Sequence, residues 1–166
     1  LAVSDTAAHI QADIAAGNAS DLLASRTLIT GIVNSNGGAI TLTASQVLAS
    51  HVNDGAGSLF SLISGGTLVV SGVTTANLSS IAALPVAAAS YSLSDTAAHI
   101  ASDLAAGGAS GILGHLSDIT AITNSNAGVI TLTAAQVLAT HVNDGAGSAL
   151  SKVTGGSLEI TNATVA

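Results

Sequence analysis

The stretch Ile40-Thr41-Leu42-Thr43-Ala44-Ser45-Gln46-Val47-Leu48-Ala49-Ser50-His51-Val52-Asn53-Asp54-Gly55-Ala56-Gly57-Ser58 returns ninety residues later, nearly unchanged, as Ile130 to Ser148. Ile40 to Thr43 alternates apolar and hydroxyl side chains, the pattern of a short strand with one buried face. A helix start follows at once. Thr43 and Gln46 form a T-x-x-Q capping box, in which a hydroxyl and an amide each satisfy a backbone N–H. Val47, Leu48 and Val52 then fall on one helical face, and Asn53-Asp54-Gly55 supplies residues that tolerate the turn at a helix end. The stretch therefore reads as strand, tight connection, helix.

Outward from it, residues 1–76 align without a gap on residues 91–166, and more than half of the pairs are identical. Such self-similarity is the signature of a repeat array and precedes every other reading of the fold. The first repeat, residues 1–90, carries a junction segment at 77–90 that the second, residues 91–166, lacks. Each repeat holds further strand–helix signals. Leu1-Ala2-Val3 precedes Ser4 or Asp5 as N-cap, with Ala7, Ile10 and Ile14 at helical spacing and Gly17 as the stop. Thr67 to Val70 precedes a turn at Ser71-Gly72 and a cap at Thr74 or Thr75. Leu78, Ile81 and Leu84 follow, and Pro85 breaks that helix. Strands thus start near residues 1, 40 and 68, and again near 91, 130 and 158, which gives coils of about thirty residues. Leu28 to Val33 is an extra apolar run that, with Asn34-Ser35-Asn36-Gly37-Gly38 after it, reads as an extra strand and turn, a hairpin being one form this could take. The expected fold is an α/β repeat solenoid of strand–helix coils with mainly parallel strands; the alternative is an antiparallel β-sandwich carrying short helices.

Composition agrees with thin, regular layers. The apolar share is 48%, nearly all of it Ala, Val, Leu and Ile, and Phe60 and Tyr91 are the only aromatic residues. Arg26 and Lys152 face nine acidic residues, for a net charge of −7. With neither a basic patch nor stacking aromatics, nucleic acid is not an expected partner. No apolar run of about 18 residues is present, so no membrane insertion is expected. The absence of cysteine removes disulfides and thiolate metal sites. The sequence starts at Leu1 and contains no methionine, from which a processed product or an excerpt of a longer chain is expected.

Several polar groupings invite a chemical reading. His51, Asn53 and Asp54, copied as His141, Asn143 and Asp144, offer imidazole and oxygen ligands. Asn53, Asp54, Asn143 and Asp144 are the weak metal candidates, with calcium the cation to consider in an acidic repeat. Against it stand the lack of a D-x-[DN]-x-[DN]-G loop or a G-G-x-G-x-D repeat, and the bland alternative of a polar helix end. Asn34-Ser35-Asn36 is a weak candidate of the same kind. Asp5, His9 and Asp13, repeated as Asp95, His99 and Asp103, lie at i, i+4 and i+8 and suggest a carboxylate–imidazole–carboxylate face. Thr41 with Thr43, and Thr131 with Thr133, share a strand face that would order water if repeated coil after coil. No nucleophile elbow or phosphate loop is present, and Gly55-Ala56-Gly57 and Gly65-Gly66 read as turns. No enzymatic activity is expected.

The phrases Val3-Ser4-Asp5-Thr6-Ala7-Ala8-His9-Ile10 and Leu93-Ser94-Asp95-Thr96-Ala97-Ala98-His99-Ile100, with the two I-T-L-T-A-x-Q segments, resemble units of very long bacterial extracellular repeat proteins. These include type I-secreted adhesins and S-layer-like chains, in which V-S-D-T-A-A-N-I and L-T-A-A-Q recur; His9 and His99 stand where that phrase has Asn. The resemblance implies a secreted, extracellular or cell-surface location and an architectural role without catalysis. A subunit or segment of a fibre, surface layer or adhesin stalk is expected, associating head-to-tail with copies of itself. Its assembly residues would be Leu1 and Val3 in the opening apolar strand, and Leu158 and Ile160 in a closing strand from Leu158 to Ala166, because neither end carries a polar cap. The rival expectation is an adhesin module holding a glycan or protein ligand on a Ser/Thr-rich face.

Overall fold

The computed structural model describes residues 1–17 and 21–164. It is a mixed α/β structure. Among the described residues Ala2–Asp5 pairs with Gly31–Asn34, Gly31–Asn34 with Ile63–Ser64, Ala39–Thr43 with Thr67–Val73, Ser90–Asp95 with Ile119–Asn124, Ile119–Asn124 with Val153–Thr154, and Val129–Thr133 with Ser157–Thr161, each pair parallel. The chain divides into two compact units, one of residues 1–71 and 80–90, the other of residues 72–79 and 91–166. The junction segment is thus shared. Its start packs with the second unit, and residues 80–90 stay with the first.

In the first unit, β1 (Ala2–Asp5) leads into α1 (Ala7–Ala16) and α2 (Asp21–Ser25), then β2 (Gly31–Asn34) and β3 (Ala39–Thr43). After α3 (Ala44–Val47) and α4 (Leu59–Leu62) come β4 (Ile63–Ser64) and β5 (Thr67–Val73), with α5 (Leu78–Ala82) following. β1, β2 and β4 form one sheet in that order, with Val3 opposite Ile32 and Ile32 opposite Ile63. β3 and β5 pair separately, with Ile40 opposite Leu68 and Leu42 opposite Val70. The core lies between these sheets and α1, and is built of Ile10, Ile14, Ile32, Ile40, Leu42 and Leu59.

The second unit runs β6 (Ser90–Asp95), α6 (Ala97–Ala106), a 3-10 turn (Ile112–His115), β7 (Ile119–Asn124) and β8 (Val129–Thr133). It continues with α7 (Ala134–Val137), α8 (Ala149–Lys152), β9 (Val153–Thr154) and β10 (Ser157–Thr161). Leu93 faces Ile122 and Ile122 faces Val153, while Ile130 faces Leu158 and Leu132 faces Ile160. Partners therefore lie about thirty residues apart along the chain, a separation that leaves room for the crossover a parallel pair needs. Parallel pairing overturns the antiparallel sandwich.

The hairpin is overturned for the same reason. Asn34 to Gly38 turns the chain from one parallel sheet into the other, so β2 and β3 never pair. Asn34 is buried, and its Nδ2 donates to the carbonyls of Gly38 at 2.8 Å and Gly65 at 3.4 Å. Asn36 Oδ1 accepts from the N–H groups of Gly38 at 3.2 Å and Ala7 at 3.0 Å, tying the corner to the first turn of α1. Gly37 completes the bend at φ 60°. The second unit repeats the corner through Asn124 and Asn126, but Ala127 holds the left-handed position at φ 50°. Ala127→Gly should therefore raise the stability of the second unit by about 1 kcal/mol, the side-chain cost of that conformation. Urea unfolding would show the gain; a loss of stability would reject the assignment of strain.

Other expectations shift locally. The helix-1 caps are Thr6 and Thr96, not Ser4 or Asp5, and their hydroxyls accept from His9 and His99 N–H. The Thr43–Gln46 box forms in both directions, at 3.3 Å and 2.8 Å, as does Thr133–Gln136. The helix it starts, however, stops at Val47 instead of running to Val52. His51 adopts a left-handed φ of 69°, and the His51 and Val52 carbonyls accept from Leu59 and Phe60, so a loop brings Val52 into the core. β5 runs through the expected turn at Ser71-Gly72 to Val73, bending at Gly72 with φ 63°. β10 ends at Thr161; Val165 and Ala166 of the expected closing strand lie outside the described residues.

Candidate functional site

The Asp–His–Asp face divides into a pair and a separate tether. Asp5 sits at the end of β1, and its Oδ1 contacts His9 Nδ1 at 2.7 Å and accepts from Thr6 N–H at 2.7 Å. Those bonds, the Thr6 N–H first, hold its carboxyl below the usual range. Asp13 turns away to accept from Leu22 N–H at 2.8 Å, and Asp103 does the same for Ile112 at 2.7 Å. These carboxylates fasten the following helical turn to the helix, α2 in the first unit and the 3-10 turn in the second, a role the spacing does not reveal.

Asp95 matches Asp5 and gains a second set of donors. Its Oδ1 meets Thr96 N–H and His99 Nδ1, while Oδ2 accepts from Thr75 N–H at 3.0 Å and Thr75 Oγ1 at 2.8 Å. Burial pushes the carboxyl up, but the bonds from Thr75, His99 and Thr96 together outweigh it and leave the value lowered. Of the two residues expected to cap the next helix, Thr75 is committed to Asp95, while Thr74 C=O accepts from Leu78 N–H and its own N–H donates to Asn77 Oδ1. Tyr91, at the other end of β6, donates to Asp118 at 3.3 Å, and burial followed by that carboxylate pushes its phenol up.

The four metal candidates are placed differently in the two units. Asn53 is buried, its Nδ2 donating to Val86 C=O at 2.9 Å and its Oδ1 accepting from Val86 N–H at 3.1 Å. Asp54 Oδ2 accepts from His51 N–H at 2.8 Å, so both side chains are engaged by backbone. Asp144 likewise accepts from His141 N–H at 2.9 Å, but Asn143 is exposed and makes no hydrogen bond among the described residues. Asn34 and Asn36 are the corner residues already described. Among the described residues no three His, Asp or Glu side chains converge on a metal-sized space. Thr41 and Thr43 lie exposed on one strand face, but Thr43 is committed to its cap; Thr131 donates to Glu159 and Thr133 caps α7.

The four assembly candidates share one property. Leu1 is 72% exposed, Leu158 41% and Ile160 46%, and Val3 is half-buried. Their repeat counterparts are Tyr91, Leu68, Val70 and Leu93, which are exposed by 4%, 4%, 0% and 1%. The side chain is buried in one copy and wholly or partly exposed in the other. β1 is the edge of its three-stranded sheet, and a cavity of about 580 Å³ lies beside it, lined by Leu1, Val3, His9, Ile10 and Ile29. β10 pairs with β8 and forms the edge of that pair. No family model, curated protein or solved structure matches the chain. Bare apolar edges are what a parallel sheet offers to a further strand. No helix among the described residues is long and apolar enough to cross a membrane.

Proposed function

We propose that this chain is a structural repeat protein, a strand–helix solenoid that serves as a subunit or segment of an extracellular bacterial fibre, surface layer or adhesin stalk. Copies join head-to-tail, with the β10 edge of one lying along the β1 edge of the next. The observation that carries this reading is the exposure of Leu1, Leu158 and Ile160 where Tyr91, Leu68 and Val70 are buried. Covering Leu1 stands to contribute about 1.5–2 kcal/mol, and covering the half-exposed Leu158 and Ile160 about 1 kcal/mol each, and an unpaired parallel edge supplies hydrogen bonds as well. Partners spaced about thirty residues apart suit a solenoid in which each coil contacts only its neighbours. The surface is poor in charge, so joining copies desolvates few ions.

The test is the double variant Leu158→Asp, Ile160→Asp, examined by negative-stain microscopy and light scattering with and without calcium. Filaments or higher oligomers of the parent chain should be lost, with circular dichroism unchanged because both side chains already face solvent. Filaments that persist in the double variant would reject the β10 edge as the joining surface. A parent chain that stays monomeric in both conditions would reject homopolymerisation.

A further inference from the structure

Arg26 is the only arginine of the chain and Lys152 the only lysine. When the two repeats are aligned, Arg26 falls on Leu116 and Leu62 falls on Lys152. Each repeat therefore carries one strong cation and one leucine at this pair of positions, with the two exchanged. The exchange holds in space as well as in sequence. Lys152 ends α8, and its Nζ donates at 2.8 Å to the carbonyl of Leu116, the counterpart of Arg26, and also to that of Ile119.

Lys152 is half-buried, and an ammonium has three N–H donors. Two of them go to carbonyls, and the ion pairs among the described residues all join His to Asp, so no carboxylate neutralises this charge. A partly desolvated cation in that state favours an anion that completes its bonding. Lys152 also lines a cavity of about 380 Å³ with Leu113, Leu116, Ser117 and His141, a volume within the range of small-ligand sites. The opening is common to both repeats. Arg26 and Leu62 are half-buried and Thr27 and His51 exposed in the first, just as Leu116, Lys152, Ser117 and His141 are in the second. One repeat has chain after it and the other has chain before it, so the opening belongs to the repeat itself. We propose that the second unit's cavity binds a carboxylate-bearing small molecule of sugar-acid size, with Lys152 as its counter-ion.

The neighbouring charges select the ligand class. Ser117 Oγ donates to Asp118 at 3.1 Å, and His141 Nδ1 lies 3.6 Å from Asp144, so two carboxylates flank the cavity. They repel a second negative charge, which sets a monocarboxylate above a phosphate dianion. The lysine ammonium is a compact point charge and suits one carboxylate oxygen, without the two-pronged geometry of a guanidinium. Leu113 and Leu116 give a wall for the carbon skeleton, and Ser117 and His141 supply polar groups for hydroxyls. The inference goes beyond head-to-tail joining, because none of Leu1, Val3, Leu158 and Ile160 lines this cavity.

The test is a titration of the isotope-labelled 166-residue chain with sodium D-glucuronate, D-glucose and inorganic phosphate, followed by amide NMR. Saturable shifts of the Gly114, Ser117 and Gly147 amides are expected with glucuronate, none with glucose, and binding about tenfold weaker or more with phosphate. Lys152→Met keeps the stem and removes the charge, and should weaken glucuronate about tenfold or more. The double variant Lys152→Leu, Leu116→Arg rebuilds the first repeat's arrangement and should restore binding. The same spectra show whether each variant is folded. Ser117→Asp, at an exposed position, places a carboxylate beside Lys152 and should abolish binding even where Lys152→Met fails to fold. Absence of saturable shifts with glucuronate, equal shifts with glucose, or phosphate bound as tightly would overturn the site. So would unchanged affinity in folded Lys152→Met or Ser117→Asp, or a folded double variant that does not bind.

Discussion

Gly156→Ala is expected to destabilise the second unit by about 3 kcal/mol or more, and Gly66→Ala to do the same to the first. Both glycines follow another glycine in the corner before β5 or β10, at φ 71° and φ 76°. A left-handed alanine alone costs about 1–2 kcal/mol. The added Cβ would also strike the amide of Asn124 or Asn34 and the carbonyl of Gly128 or Gly38. Those are the atoms that close the opposite corner, Asn124 Nδ2 to Gly128 O and Asn34 Nδ2 to Gly38 O, each at 2.8 Å. Displacing the amide would leave a buried donor unpaired, which costs a further 1–3 kcal/mol or about that. Gly31→Ala is the control, because φ there is ordinary and no atom lies within 4 Å of the new Cβ. Denaturant midpoints measure all three; a loss below about 1 kcal/mol at Gly66 or Gly156 would sink the corner account.

Asp95→Ala should cost about 2–4 kcal/mol, from four charge-assisted hydrogen bonds partly replaced by water. Asp5→Ala should be the milder change, because Asp5 is more exposed and lacks the two Thr75 bonds. The pH dependence follows from the lowered carboxyl of Asp95. Its unfolded value is near the ordinary 3.9 or about that, so at acid pH the unfolded state binds more protons than the folded one. The stabilisation is complete above about pH 4 and is lost as pH falls through the folded value. Tyr91, the only tyrosine and a buried residue of the second unit, reports this by fluorescence. Asp95→Asn should flatten the acid limb of that curve. An acid limb unchanged in Asp95→Asn would show that another carboxylate governs it.

Much of the local structure was legible in the residues. The capping boxes at Thr43 and Thr133, the stop at Gly17 and the alternation in Ile40 to Thr43 each rest on neighbours within a few positions, and short-range chemistry is what a single sequence displays. The hairpin at Asn34 was misread because a polar Gly-rich turn has the same composition whether it reverses a strand or carries it into another sheet. The helix expected to run from the Thr43 cap to Val52 stops at Val47 for a related reason. Leu48 and Val52 have helical spacing, yet the pull on Val52 comes from Leu59 and Phe60, whose N–H groups bind the preceding carbonyls.

The candidate residues divide the same way. His51 with Asp54, and Asp5 with His9, are near neighbours in sequence and lie together in the fold, at 3.7 Å and 2.7 Å. Asn53 was singled out for its oxygen. Its actual partner is Val86, thirty-three residues on, and no local pattern announces that contact. The role of Thr75 as a donor to Asp95 was hidden for the same reason.

By itself the sequence determined that this is a two-copy, cysteine-free, acidic α/β chain with short strands and small aliphatic core residues, since repetition, charge and periodicity are properties of residue order. Only the tertiary structure decided which strands are partners, that the described pairs run parallel, and which of two equivalent surfaces is covered. Those outcomes depend on what each strand meets after a crossover of some thirty residues or about that, and two copies with the same side chains differ there in what lies against them: Leu68 is buried and Leu158 is bare.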